Sequence, residues 1–351
     1  MGNIGLKLGS TVVAAAIGLT AALAAAPADA ASQELVQAAE KEGTVVWYTS
    51  MIVDQAVRPL VAAFEKKYPK IDVQFSRASS SDTALKIVNE SSAGHVMGDV
   101  FDGNGAYIVL RPANLVEPYV ADSAAEIPAE YKGPDGYWAA PNVYYLSAAI
   151  NTDMVSKDDA PKTYQDLLDP KWKNQMVWSV VPQESGAPGF IGNILMTMGQ
   201  EKGMDYLHKL AAQKITNMDT SQRTVLDRVI VGDFPLALMT YTHHSPISAA
   251  KGAPVDWLRM EPVIASPNTV GLVRGAPHPN AGKLLIDFIL SKEGQTVLAK
   301  GMYLPTNPNV AAKVPDLMAN GPRPFKVTMM TPEVVSEGLP KWIKIFNQLF
   351  R

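Results

Sequence analysis

The stretch "ALMTYTHHSPISAAKG", Ala237 to Gly252, carries His243 and His244 side by side, two of the five histidines in the chain, with Tyr241 just before them. Imidazole and phenol are metal ligands and acid/base groups, so the first question is whether this is a metal centre or a catalytic one. Spacing argues against both. Neighbours on a strand point to opposite faces, and on a helix start they diverge by about 100°, so two adjacent histidines do not easily share one ion. Metal-binding pairs are spaced, as in H-x-x-x-H. His95, His208 and His278 lie in other segments, and a zinc ion would have to recruit Tyr241 or Asp233. A hydrolase using His243 or His244 as base would need a nucleophile, yet the chain has no G-x-S-x-G, no H-E-x-x-H and no cysteine. What remains is hydrogen bonding to a polar or anionic ligand. Which of Tyr241, Thr242, His243 and His244 faces it stays open, with Tyr241 and His243 as the candidates. No metal, no cofactor and no enzymatic reaction is expected.

Three helix starts elsewhere point to the same chemistry. In "RASSSDTALKIVNE", the serines Ser79, Ser80 and Ser81 open a helix, where Ser80 or Ser81 can cap and the free N–H groups attract an anion. In "VPQESGAPGF", Ser185 and Gly186 precede another helix that begins near Ala187, and a glycine lets the backbone approach a ligand closely. Glu184 beside them would repel an anion, so it should point away or meet a cation. In "DTSQRTVLDRV", Thr220 or Ser221 can cap, which leaves Gln222 and Arg223 in the first turn. An arginine there opposes the helix dipole, and that local cost suggests bidentate capture of a carboxylate or phosphate. Arg77, at the end of a strand, is a similar but weaker candidate. Ordinary capping and a solvated arginine are the plain alternatives.

The elements that position these residues alternate. "TVVWYTS" reads as a buried strand ending at Thr49 and Ser50. "VDQAVRPLVAAFEKKYP" has helical spacing, "KIDVQFSRA" alternates as a strand, the serine helix follows, and "GDVFDGN" is a third strand ending at Asn104. This β-α-β-α-β pattern predicts an open α/β sheet. A second α/β unit follows "YWAAPNVYYLSAAINTDM", and "NTVGLVRGAP" returns as a strand. The fold class is therefore α/β with two lobes joined by two extended hinge segments, crossing near Val143–Ile150 and returning near Pro267–Val273. Residues 32–143 and 270–351 form lobe 1, and residues 144–269 form lobe 2. A ligand sits between them, at loops after strand ends. Thr49, Ser50, Asn104 and the hinge tyrosines fall there. Of Tyr144 and Tyr145, one faces the ligand and the other packs; Tyr145 is assigned to the ligand.

Composition narrows the class. Lys7 followed by "TVVAAAIGLTAALAAAPADA" reads as a secretory signal peptide over residues 1–31, cleaved near Ala30. Without a cysteine there is no lipid anchor and no disulfide, although the expected compartment is oxidising. A net charge of −3 with no basic stripe excludes nucleic acid as the expected partner.

The segments "VVWYTS…PLVAAFEKKYPKIDV", "LLDPKWKNQMVWSVVPQESGAPGF", "VIVGDFPLALMTY…AAKGAPV" and "FILSKEGQTVLAKGMYLPTNPNV" fall in order along almost the whole mature chain. In this the chain resembles the extracellular solute-binding proteins of ABC importers, in the branch that includes the periplasmic ferric-binding proteins. The resemblance implies a type II periplasmic binding fold that closes about a hinge. It also implies a periplasmic monomer that captures a small solute and docks transiently on an inner-membrane ABC permease. In the family the matching "SG" segment touches a bound anion. The iron-binding members use a histidine after the first strand, a glutamate after the third and a tyrosine pair in the second lobe. Those positions fall here near Ile52, on Asn104, and on Thr242 and His243. Ferric ion prefers anionic oxygen ligands, which this set does not supply. The expected cargo is a phosphate- or carboxylate-bearing solute, with ferric iron or another metal as the alternative.

Overall fold

The computed structural model describes residues 31–314 and 325–351, with Met1, Gly2 and Leu317. The leader expected over residues 1–31 thus lies almost wholly outside the described residues. Among the described residues no helix is long and apolar enough to cross a membrane.

The chain begins with α1 (Gln33–Glu42), which Ser32 caps and Gly43 ends in the left-handed conformation at φ 71°. Strands β1 (Thr44–Thr49), β2 (Asp72–Arg77) and β3 (Val100–Asp102) are parallel, linked through α2 (Arg58–Lys67) and α3 (Ser80–Ser92). The short helix α4 (Asn104–Leu110) and strand β4 (Val116–Glu117) follow, and then β5 (Ala139–Asn151), the longest strand described. A second parallel set comprises β6 (Met176–Ser179), β7 (Thr216–Met218) and β8 (Leu236–Tyr241), interleaved with α5 (Ala187–Met198), α6 (Gln200–Ala211) and α7 (Gln222–Ile230). After α8 (His244–Ala249) and β9 (Val255–Trp257), strand β10 (Val263–Val273) returns to the first set. Helices α9 (Pro279–Leu290) and α10 (Lys292–Lys300), strands β11 (Leu304–Pro305) and β12 (Val327–Met329), and α11 (Pro332–Leu349) complete it. The main sheet order is β2-β1-β3-β10-β5-β8-β6-β7. The two lobes thus share one continuous sheet.

The core is nevertheless split. One apolar cluster holds Trp47, Leu60, Phe64, Phe101 and Phe288, and the other holds Trp178, Phe190, Ile194 and Leu207. The long antiparallel pair β5 and β10 runs from one to the other, with Leu146 opposite Ile264. Tyr145 belongs to the first cluster and Leu146 to the second. On β10, Ile264 packs in the second cluster while Val263, Ala265, Val270, Leu272 and Val273 pack in the first.

The C-terminal helix is a further departure. The reading that placed all of residues 270–351 in lobe 1 does not hold for α11. Val335, Trp342, Ile345 and Phe346 are buried in the second cluster. The Trp342 ring lies flat over α5 at Gly192, where a Cβ would come within 2.6 Å of it. Amphipathic spacing showed that α11 has a buried face but could not show which lobe receives it.

Candidate functional site

A cleft of about 930 Å³, including its part open to solvent, lies between the lobes. Lobe 1 contributes the ends of its parallel strands and the helix starts that follow them. Ser50 ends β1, where its N–H and Oγ donate to Asp102 Oδ1 at 2.9 and 2.6 Å. Asp102 is fully buried, and burial pushes its carboxyl up despite the donors from Ser50. Asn104 opens α4 and donates from Nδ2 to Ser266 Oγ at 2.9 Å. At α3 the capping residue is Ser79, one place before the two expected. Its Oγ accepts from Asp82 N at 3.1 Å and donates to Asp82 Oδ2 at 2.7 Å. The acid three places on selects it. Ser79, Ser80 and Arg77 line the cleft, while exposed Ser81 does not.

Lobe 2 faces them with aromatic and amide groups. Ser221 caps α7. Buried Gln222 donates from Nε2 to the Ser185 carbonyl at 2.8 Å and to Ser185 Oγ at 3.0 Å, which ties two of the expected helix starts together. Arg223 extends along the rim, donating to Ser248 Oγ at 2.9 Å and pairing with Asp227 at 2.6 Å. Tyr241 ends β8 with its hydroxyl 3.4 Å from Ser185 Oγ, and burial pushes that hydroxyl up to about 12.

Both histidines line the cleft, against the reading that only one would. They start α8, and their rings lie 4.4 Å apart at 59°. His243 is 1 % exposed, and neither of its nitrogens has a hydrogen-bond partner; His244 Nδ1 has none either. Burial drives His243 down to about 3 and His244 well below its usual value, the latter helped by His243 and Arg223. Both are therefore neutral near pH 7, each offering one donor and one acceptor. A base that weak is a poor fit to the hydrolase alternative.

Several expected site residues do not reach the cleft. Thr49 is buried, its Oγ1 accepting from Met51 N at 3.1 Å. Gly186 is needed for packing rather than for ligand approach, since a Cβ there would lie 2.6 Å from the Ser179 carbonyl oxygen. Ala187 is fully buried in the second core. Tyr145 turns inward against Phe325, at 5.3 Å between ring centroids. Its neighbour Tyr144 takes the cleft side, 4.9 Å from Tyr241 and nearly parallel to His243 at 5.7 Å. Strand alternation required one of the two to face in, and only tertiary packing decides which.

Two further cleft residues, Tyr303 and Asn268, carried no usable signal in the sequence. Tyr303 follows α10 far along the chain, accepts from Ile52 N at 2.9 Å and reaches within 5.6 Å of the His243 ring. Asn268 on β10 is held by Asn142 at 3.1 Å. Glu184 lines the cleft instead of pointing away. Tyr144, Tyr241, Tyr303 and Glu184 thus give the cleft more oxygen ligands than sequence alignment to the iron-binding positions suggests. Among the described residues, however, no three His, Cys, Asp or Glu side chains converge to hold a metal.

Comparison with known proteins fits this geometry. A model of the family described as bacterial extracellular solute-binding protein matches residues 109–325, well over half of the chain. A 2-aminoethylphosphonate-binding periplasmic protein of Salmonella paratyphi A, whose name marks that assignment as provisional, is 30 % identical over 222 residues. The match covers 56 % of this chain and 65 % of that one, so the chain spans just under two thirds of this relative's length. An Fe(3+)-binding periplasmic protein of Serratia marcescens is 22 % identical over 271 residues, 75 % of this chain and 78 % of that one. Among solved structures, the periplasmic binding protein AfuA from Actinobacillus pleuropneumoniae, with exogenous fructose-6-phosphate bound, superposes with a TM-score of 0.75 at 24 % identity. That likeness covers 88 % of this chain and 98 % of that one, and it shows a shared fold. With its two lobes, its long strand pair β5 and β10 running between them and its interlobe cleft, this chain belongs to the bacterial extracellular solute-binding protein family.

Proposed function

We propose that the protein is the periplasmic solute receptor of an ABC importer and that its cargo is a small phosphonate, phosphate ester or carboxylate. One observation carries the reading. The N-termini of α3 from lobe 1 and α7 from lobe 2 open on the same cleft, flanked by Arg77 and Arg223. Helix starts and guanidinium groups are the main protein devices for holding an oxyanion. A solute gripped from both sides stabilises the closed form through contacts that the open form lacks. Binding and release require no covalent step, and the neutral histidines serve as polar contacts. Ser50, Ser79, Ser80, Asn104, Ser185, Gln222, Arg223, Tyr241 and His243 are the proposed ligand residues, joined by Tyr144. The receptor is exported on its N-terminal leader, works as a monomer and hands its cargo to a permease in the inner membrane.

A second reading is favoured by Tyr144, Tyr241 and Tyr303 beside Glu184. Phenolate and carboxylate oxygens suit Fe(III), and a relative carries that name. Burial raises all three hydroxyls, which opposes phenolate formation. The two readings separate in a thermal-shift screen of the mature protein against 2-aminoethylphosphonate, sugar phosphates, dicarboxylates and Fe(III) citrate. A ligand at about 100 times its Kd adds about 2.7 kcal/mol of stability. A response to Fe(III) alone would reject the anion reading.

A further inference from the structure

Glu184 is the one element of the cleft that an anion receptor does not need. It lines the same space as Arg77 and Arg223, yet among the described residues it forms no ion pair. Arg223 is engaged by Asp227 instead. The Glu184 carboxylate lies across the lobe boundary near Ser80, whose hydroxyl favours its charged form. Its position depends on Gly105, where a Cβ would come within 2.6 Å of Glu184 Oε1. Tyr241 lines the same cleft, and its hydroxyl feels the negative charge. Tyr144 adds a second ring face, 4.9 Å from Tyr241.

Arg77 contributes to the field at Tyr303 and Arg223 to that at His244, while Glu184 contributes to the field at Tyr241. A half-buried carboxylate without a cation is costly, and burial pushes Glu184 up to about 6. A carboxylate flanked by tyrosine rings is the chemistry that receives an ammonium group.

We infer that the cleft is built for a zwitterion, with Glu184, Tyr241 and Tyr144 receiving a primary amine while Arg77 and Arg223 hold the anionic end. This rests on the anion reading above and narrows it to amino-phosphonates, amino-phosphates or amino acids of similar length. Glu184 is then the residue that selects aminated solutes from plain anions.

A matched pair of probes tests it. Calorimetry on the full mature protein compares 2-aminoethylphosphonate with ethylphosphonate, which lacks only the amine. The wild type is expected to favour the aminated compound by about tenfold or more, the scale of one charge-assisted contact. Glu184→Gln should remove most of that preference, leaving ethylphosphonate unchanged or tighter, because a repulsive charge is gone. Equal wild-type affinities would overturn the inference without any variant and leave the anion reading intact. So would a Glu184→Gln protein that loses both compounds alike, which would make the residue a lobe-to-lobe contact only. Failure of both compounds, with binding of Fe(III) citrate, would overturn the anion reading as well.

Discussion

The two walls of the cleft are built on different terms. On the lobe 1 wall, Ser50 is held by Asp102, Asn104 by Ser266 and Ser79 by Asp82. On the lobe 2 wall, His243 is almost fully buried with neither nitrogen engaged, and Thr242 Oγ1 and Ser245 Oγ behind it also lack partners. Buried polar atoms are normally satisfied, so those left open mark where a ligand supplies the missing bonds, and both walls carry them: Asp102 Oδ2 and Asn104 Oδ1 on lobe 1 as well as the His243 ring on lobe 2. The lobe 1 side chains are each fixed by at least one bond, whereas the His243 ring of lobe 2 is fixed by none. Selectivity should accordingly reside in lobe 2, and variants there should change which solute binds more than variants opposite.

The largest effect expected on this contrast concerns what supports lobe 2. Trp342 of α11 is 4 % exposed and covers Gly192 of α5. Trp342→Ala should cost about 3–5 kcal/mol, the range for removing a buried tryptophan. Thermal unfolding should show the loss, and hydrogen exchange should place it in α5 and α6 rather than in α1 or α9. Increased exchange confined to lobe 1 would return the helix to that lobe. Next in size is Arg223→Ala, which should weaken the phosphonate that binds best by about 10- to 100-fold, as loss of a charged hydrogen bond does. Asp227→Ala frees the same guanidinium and should leave affinity equal or better. Matching losses in both variants would mean that Arg223 acts only by stabilising α7.

What was legible in the sequence divides by range along the chain and not by wall. The β-α-β order, the bilobal plan and the helix starts at Ser79–Ser81, Ser185 and Gln222 follow from local patterns, because capping and periodicity are local. Residues of both walls are therefore readable. Tyr303, Asn268 and Tyr144 are not, because they enter through long-range pairing of β5, β10 and β11, and no short window encodes that register. Glu184 stands out in the sequence as ill-suited to an anion, but no short window encodes that it faces Gly105 of the other lobe. Gly186 misled because a glycine required by a close backbone approach looks the same in sequence whether the approaching group is ligand or chain.

A smaller effect follows from the buried imidazoles. Burial lowers His243 and His244 below their ordinary range, so protonation favours the unfolded chain. Their contribution is complete above about pH 6.5 and is lost as pH falls toward the folded values, at up to about 1.4 kcal/mol per pH unit for each proton. Denaturant midpoints of the ligand-free protein should drop between pH 7 and pH 5, and His243→Gln should flatten that limb by about one proton. An unchanged slope would place a charged His243 in the cleft and reverse the account of the lobe 2 wall as neutral.

The smallest effect tests the lobe 1 wall at the three serines that local pattern could not tell apart. Ser79 holds the start of α3 through reciprocal bonds with Asp82, while Ser81 is exposed one turn position on. Ser79→Ala should cost about 1 kcal/mol of stability, the usual loss of a helix cap, and Ser81→Ala should stay within about 0.5 kcal/mol. Because Ser79 also lines the cleft, a frayed α3 would present fewer fixed N–H groups to the ligand. The affinity loss should then be similar for ethylphosphonate and 2-aminoethylphosphonate, since the fixed lobe 1 wall meets the anionic end that both share. A Ser79→Ala protein that changes the preference between them would show that lobe 1 also selects, and the division between a fixed wall and a selecting one would fail.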